Sequence, residues 1–536
     1  MDTLEKFGLA VQNNDHYEAE PYGGIYTMHK YWAKKPFNII GAKIIENTKK
    51  GDIVLDPFCG SGVSVSEALF SGRRAIGVDI NPSAILITRE VISRVDLKKA
   101  KEELESIRRE VDNLVQLAYS TKRDNITYSV THFLWEIDHI KEVWYNSGSE
   151  KHRAVPSLED ENKANSFKYE MIQSFYPRER LYLNTRINVS KETYVYNLFT
   201  PRNLMILSSI YERIDKIEDE SLKDFFLFCF NSSLGQASKM VFAIKNRGKF
   251  NGNSSNGKDR YEVGSWVIGY WRPKIFFEIN PWNTFSRRVL RGIKAKADPI
   301  YDKLDVSESI DFESFLNAKE HNLLLCNNSA ELAMKQLPPD SVDYVISDPP
   351  HGDREPYLEL STMWNSWLRV RADFENEIVI SDSPERDKNI SDYLERMKNV
   401  LKEIGRVLKD GGYFTLIFNN LDDEVWTDLL QSILSSHLKF IKLETMGYSA
   451  TSVVQDTRKR GLTSDIMLTF QKSSTYTAPQ RIMVLKNKDV LENVLSNLSM
   501  TKKRDDIELY SEINKTLIQL GMFMTPSLFF ELLEGR

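Results

Sequence analysis

Ile53-Val54-Leu55-Asp56-Pro57-Phe58-Cys59-Gly60-Ser61-Gly62, running on to Gly77-Val78-Asp79-Ile80-Asn81-Pro82, is the stretch from which the fold is read. Ile53–Leu55 is a short apolar run of the kind a buried parallel strand needs. Asp56 closes it, residues 58–62 turn tightly, and Val63 to Phe70 reads as a helix. Glycines at 60 and 62 let the backbone approach a ligand and take dihedrals other residues avoid. A second strand, Arg74 to Val78, ends in Asp79, 23 positions after Asp56. In a doubly wound sheet, an acid so placed stands at the carboxyl end of the second strand, where it accepts the hydroxyls of a ribose. Loop, helix and acidic strand end together predict a nucleoside pocket.

Ahead of this unit stands His29-Lys30-Tyr31-Trp32-Ala33-Lys34-Lys35-Pro36, with Pro36 suited to opening a helix. After it, Asn81-Pro82 leads a helix to about Ser93, and Leu97 to Leu117 is an amphipathic helix with a charged, solvated face. The strand–helix rhythm breaks over residues 118–318 and resumes at 319. Within the break, Thr127 to Trp135 is strand-like, Glu150 to Asn165 reads as a loop, Thr200-Pro201 opens a helix to Ile214, and Phe225 to Phe242 reads as a buried helix. The expected organisation is residues 1–117 (arm and first half of the α/β unit), 118–318 (insertion), 319–474 (second half) and 475–536 (a small helical tail).

Residues 231–296 carry 13 lysines and arginines against three acids, a net of +10 in a chain of −5. Aromatic residues interleave with them. Cations track phosphates and aromatic rings stack beside bases, so Lys245, Arg247, Lys249, Arg260, Trp271, Arg272, Lys274, Arg287 and Arg288 are the candidate contacts to a nucleic acid, which the resemblance given below makes double-stranded DNA. The run from Gly248 to Gly257 reads as a mobile loop.

Val342 to Ser347 is a strand that ends in Asp348-Pro349-Pro350-His351. An exocyclic amine of a base is a poor nucleophile because its lone pair is delocalised into the ring. Acceptors at the amine hydrogens favour a geometry that frees the lone pair. The Asp348 carboxylate and the Pro349 carbonyl suit that task, with His351 under the base as a stacking surface. Paired prolines stiffen the loop. Gly411-Gly412 is expected to end the helix Ser391 to Leu408, and strands follow at 413–418, 440–445 and 465–470.

Asp56-Pro57-Phe58-Cys59-Gly60-Ser61-Gly62 resembles the first motif of the S-adenosylmethionine-dependent DNA amino-methyltransferases, and Asp348-Pro349-Pro350-His351 resembles their Asp-Pro-Pro-Tyr motif, with histidine where tyrosine is usual. The segment from His29 to Pro36 resembles the one these enzymes place before their first motif. The resemblance implies an α/β fold with a Rossmann-like seven-stranded sheet, a large inserted target-recognition region and a C-terminal helical tail. It implies S-adenosylmethionine held by Trp32, Lys35, Pro36, Asp56, Phe58, Gly60, Gly62 and Asp79, and transfer through Asp348, Pro349, Pro350 and His351 to a flipped base. Aspartate at the head of the second motif favours adenine N6 over cytosine N4. Asn197-Leu198-Phe199-Thr200-Pro201-Arg202 resembles a segment in a broader group of DNA methylases.

Composition adds bounds. At 536 residues the chain exceeds one core. It has no run of 18 apolar residues and no secretory leader, so no membrane association is expected. Three scattered cysteines suit a reducing cytoplasm and offer neither a disulfide framework nor a zinc ribbon, so no metal is expected. A restriction–modification or phage-defence setting is expected, with cleavage left to a partner protein. An RNA base amino-methyltransferase and a cofactor-binding, non-catalytic DNA-binding protein are the alternative readings.

Overall fold

The computed structural model describes residues 16–17, 19–246, 260–267, 269–352, 355–420, 422–446, 465–485, 506–525 and 528–529. The strands of these residues, numbered β1–β17 along the chain, form three sheets. The largest contains β1 (His16–Tyr17), β2 (Ile53–Asp56), β3 (Arg74–Asp79), β11 (Leu323–Asn327), β12 (Val342–Ser347), β13 (Leu408–Phe418), β14 (Leu438–Met446) and β15 (Asp465–Lys472). Their order is β1-β14-β15-β13-β12-β2-β3-β11. That is eight strands where seven were expected; the eighth is the two-residue parallel pairing of His16–Tyr17 with Thr445–Met446. β15 runs antiparallel to both its neighbours, and the other pairings are parallel.

The sheet is apolar on both faces, as a sheet covered by helices on each side must be. Val54, Ala75, Tyr344 and Ile346 pack into one core, and Ile53, Leu55, Ile76 and Val345 into the other. The first core is continuous with that of the inserted region: Val130, Phe133, Leu204, Phe226 and Phe285 belong to the same cluster. The second is closed by the helices Ile390–Val407 and Asp423–Ser435, and by Tyr510, Ile513 and Leu517 of the helix Asp506–Gln519. The chain's last described helix is thus docked on the sheet; Ser511 Oγ donates to the Leu443 carbonyl of β14.

The inserted region forms the second sheet from β4 (Ser120–Arg123), β5 (Ile126–Glu136), β6 (His139–Ser147), β7 (Glu150–Ala154), β8 (Val241–Asn246), β9 (Arg260–Trp266) and β10 (Ile275–Ile279). Three local expectations fail here and nearby. The polar run 150–165 is not a loop: it supplies β7 and the helix Leu158–Ser166, whose start Ser157 and Asp160 secure as a reciprocal capping box. The helix expected to reach Phe242 stops at Leu234, and Val241 onward pairs with β9 as β8; the Trp266 ring fills the space where a Cβ at position 235 would stand, so only glycine fits there. Gly411-Gly412 lies inside β13 rather than ending the preceding helix, which stops at Val407. Other local readings hold. Thr200 Oγ1 accepts from the Asn203 N–H, with Pro201 in the first turn. Asn81 caps the helix Pro82–Ile92 in the same way, through the Ser83 N–H.

Candidate active site

The parallel strands deliver their ends to one edge of the sheet. Asp56 ends β2, Asp79 ends β3, and Asp348 follows β12. A cleft at this edge is lined by Trp32, Lys35, Asp56, Phe58, Gly60, Asp79, Asp348 and Pro350 among the residues expected there, and also by Tyr31, Asn81, Tyr357 and Glu377. The two motifs, 292 positions apart in sequence from Asp56 to Asp348, therefore face a single space.

The turn after β2 is shaped by its carboxylates. Asp56 Oδ1 accepts from the Phe58 N–H at 3.0 Å, and Oδ2 accepts from the Ser64 hydroxyl. Asp79 Oδ2 accepts from the Gly60 N–H and Oδ1 from the Asn81 N–H, both at 2.8 Å. Each carboxylate oxygen carries a second acceptor site, so Asp79 retains capacity for ribose hydroxyls. Burial pushes Asp56 up to about 7, against the pull of its Ser64 and Phe58 bonds. It pushes Asp79 up to about 6, against the Asn81 and Gly60 N–H groups. Gly60 takes φ +51, and a Cβ there would stand 3.1 Å from the Tyr31 ring.

The arm before the helix Phe37–Asn47 is pinned by its own polar groups. Lys34 Nζ donates to the carbonyls of Tyr26 at 2.8 Å and His29 at 3.2 Å, and Tyr22 donates back to the Lys34 carbonyl at 2.6 Å. Lys35 turns the other way, into the cleft, where Nζ lies 2.7 Å from Asp348 Oδ2 and 3.1 Å from Asp465 Oδ2. Trp32 packs between Tyr357 and Trp364. Its buried indole N–H has no acceptor among the described residues, which suits it to a ligand atom.

Four expected contacts are corrected. Pro36 is the N-cap of its helix and does not line the cleft. Gly62 serves packing: it takes φ +75, and a Cβ would stand 2.6 Å from Thr88 side-chain atoms. Pro349 is buried and is not among the residues that line the cleft. His351 is not an open stacking face. It is buried, its ring stands edge-on to Phe418, and Nε2 pairs with Asp348 Oδ1 at 3.1 Å. The loop is held by Tyr393, which donates to the Pro350 carbonyl at 2.6 Å, and by Asn420, whose Nδ2 donates to the His351 carbonyl at 3.0 Å.

Of the basic set, Lys245 and Arg260 are exposed on the paired strands β8 and β9. Trp271 (41% exposed), Arg272 and Lys274 are exposed just before β10. Arg287 is exposed on the helix Pro281–Lys296. Arg288 is corrected: it is half-buried and donates to the Met28 carbonyl at 3.2 Å, tying down the arm. Arg247, Lys249 and the run Gly248 to Gly257 lie outside the described residues.

Sequence reasoning missed Asp465, Tyr357 and Glu377. Asp465 was legible as the first residue of a strand in a hairpin-like end, but not as a neighbour of Lys35, because nothing local shows that the strand lies beside β13. Tyr357 and Glu377 reach the cleft from the helix Tyr357–Trp367 and the loop after it, positions with no motif of their own.

Comparison with known proteins agrees with this geometry. The sequence model of the family described as DNA methylase, of the N6 and N4 type, matches residues 9–90 and 342–517, just under half of the chain. Those segments hold both motifs, so the resemblance to amino-methyltransferases of the adenine N6 and cytosine N4 type is shown. A Methanocaldococcus jannaschii type II methyltransferase, M.MjaII, is 34% identical over 83 residues, 15% of this chain and 14% of that protein. Type II methyltransferase M2.DpnII of Streptococcus pneumoniae is 39% identical over 61 residues, 11% of this chain and 23% of that one. The Escherichia coli DNA adenine methyltransferase YhdJ is 40% identical over 63 residues, 11% and 21% respectively. The chain thus spans less than a quarter of each of these curated relatives. A candidate DNA modification methylase of Thermus thermophilus overlaps 31% of this chain and 56% of its own, at 12% identity and a TM-score of 0.16, a likeness too slight to bear on the fold. Among the described residues no helix is long and apolar enough to cross a membrane.

Proposed function

We propose that this protein transfers a methyl group from S-adenosylmethionine to an exocyclic amine of a flipped base in double-stranded DNA, adenine N6 in preference to cytosine N4. The observation that carries the reading is that Asp79 and Asp348 line one cleft, each at the carboxyl end of a parallel strand. Ligands of open α/β sheets bind beyond those ends. The DNA methylase match, which covers both segments, and the type II and adenine methyltransferase relatives support the class and the substrate.

The residues present fit the cofactor. Asp79 has acceptor capacity for a ribose, Trp32 offers an unpartnered N–H, and Tyr31, Phe58 and Tyr357 supply flat apolar walls. When bound, S-adenosylmethionine supplies the electrophilic methyl group. The protein supplies the rest. Asp348 accepts a hydrogen of the target amine and holds its lone pair toward the methyl carbon. Base extrusion costs a few kcal/mol and is offset by stacking and edge contacts. The exposed cations Lys245, Arg260, Arg272, Lys274 and Arg287, with Trp271, contact the duplex backbone. We place the activity in a restriction–modification or defence setting in the cytoplasm, with any nuclease a separate chain.

The test is incubation with unmethylated bacterial DNA and cofactor carrying a labelled methyl group, followed by digestion to nucleosides and mass analysis. Label in N6-methyladenine is the expected result. Label in N4-methylcytosine would correct the base, and label in RNA alone, or none in either nucleic acid, would overturn the reading.

A further inference from the structure

A fourth aspartate reaches the edge of the sheet where Asp56, Asp79 and Asp348 gather. β15 runs antiparallel to β13, with Ile466 opposite Phe418, so its first residue, Asp465, arrives where the parallel strands end. Lys35 lies between Asp465 and Asp348, 3.1 Å from one carboxylate and 2.7 Å from the other. The lysine side chain is 7% exposed and that of Asp465 8%, while Asp348, which opens to the cleft, is 21% exposed. The second oxygen of Asp348 pairs with His351 Nε2 at 3.1 Å. Both oxygens of the carboxylate are therefore held, one from the N-terminal arm and one from its own loop.

A lysine has four rotatable side-chain bonds and a compact charge that sets no direction by itself. Lys35 can orient a carboxylate only if its own ammonium is fixed. Asp465 does this from the start of β15, with the Ala33 carbonyl accepting from the same ammonium at 3.3 Å, and its buried carboxylate adds attraction where screening is weak. We infer that Asp465 is a positioning residue for methyl transfer: it fixes Lys35, and Lys35 fixes the plane of the Asp348 carboxylate. The inference rests on the functional reading above.

The experiment measures kcat, KM for DNA, and S-adenosylmethionine affinity for the full chain and for Asp465→Asn, Lys35→Met and Lys35→Arg, with thermal unfolding as the check on folding. Asp465→Asn is expected to lose about tenfold or more in plateau kcat while cofactor affinity stays within about twofold, and Lys35→Arg to retain more activity than Lys35→Met. Active wild-type protein with Asp465→Asn at the wild-type plateau would overturn the inference alone. Lys35→Arg no more active than Lys35→Met would also overturn it. Wild-type protein that methylates no DNA would overturn the functional reading, and this inference with it.

Discussion

The ring of His351 stands 4.9 Å from that of Phe418, at 72° between planes, with its Nε2 on Asp348. The motif thus places at its fourth position a side chain that faces the Asp348 carboxylate and the core, not the open cleft. His351→Ala should lower kcat about tenfold, roughly 1.4 kcal/mol, with KM for DNA nearly unchanged. Steady-state kinetics on a fixed DNA substrate decide it: a loss confined to KM would restore the stacking role.

Asp79 should make cofactor binding pH-dependent. Its carboxyl is lifted to about 6 by burial, so protonation below that pH removes an acceptor for the ribose. Calorimetric affinity for S-adenosylmethionine should weaken between pH 8 and pH 5. In Asp79→Asn the affinity should be low throughout, with the pH dependence reduced. A wild-type affinity that is level across this range sinks the assignment.

Asp56 bears on stability with a definite sign. Its carboxyl sits at about 7 in the fold against 3.8 ordinarily. A raised carboxyl favours the folded state fully below the unfolded pKa, and this contribution is lost as pH rises through the folded one. Asp56→Asn, which does not titrate, should therefore gain on the wild type between pH 4 and pH 8. Thermal unfolding at both limits tests this; a constant difference in Tm would contradict it.

Arg202 closes the segment Asn197 to Arg202 that resembled other methylases, and its task is internal. It is buried, pairs with buried Glu278, and lies over the Phe133 ring; Trp135 Nε1 donates to the same carboxylate at 2.7 Å. Arg202→Met leaves a buried carboxylate without its cation and should cost about 3–5 kcal/mol. Urea unfolding measures it, and a loss under 1 kcal/mol would show the carboxylate finding other partners.

Arg386 holds the loop beside the cleft. It bridges buried Glu359 at 2.7 Å and Glu377 at 2.6 Å, while Glu385 of the same loop meets Arg180 of the inserted region at 2.7 Å. Arg386→Met should leave two buried carboxylates facing one another and loosen residues 370–389. Limited proteolysis should then cut there sooner than in the wild type, and KM for DNA should rise. Unchanged cleavage and kinetics would show that the loop is held by other contacts.

The turn from Asp56 to Gly62, the acid at Asp79 and the loop at Asp348 were legible as strand ends because local patterns encode them: apolar runs of strand length, glycines at positive φ, prolines that stiffen a turn. Helix starts at Thr200 and Asn81 were legible for the same reason, since a cap involves residues two or three apart. The errors fell where distant groups decide. The helix Glu220–Leu234 falls short of Phe242 because residues 241–246 pair with 260–266, position 235 is glycine because Trp266 fills the space of a Cβ, and Gly62 answers to Thr88. Arg288 looked like a phosphate contact by composition, yet it holds the Met28 carbonyl.

By itself the sequence determined the α/β class, the two motifs and the order in which they occur. Tertiary structure alone decided that both motifs open into one cleft, that His351 turns inward, and that Asp465 stands opposite Asp348 across Lys35. The physical reason is the place of β15 in the sheet. It lies between β14 and β13, so its first residue reaches the edge where the parallel strands finish, and the neighbours of a strand are set by pairing partners far away in sequence.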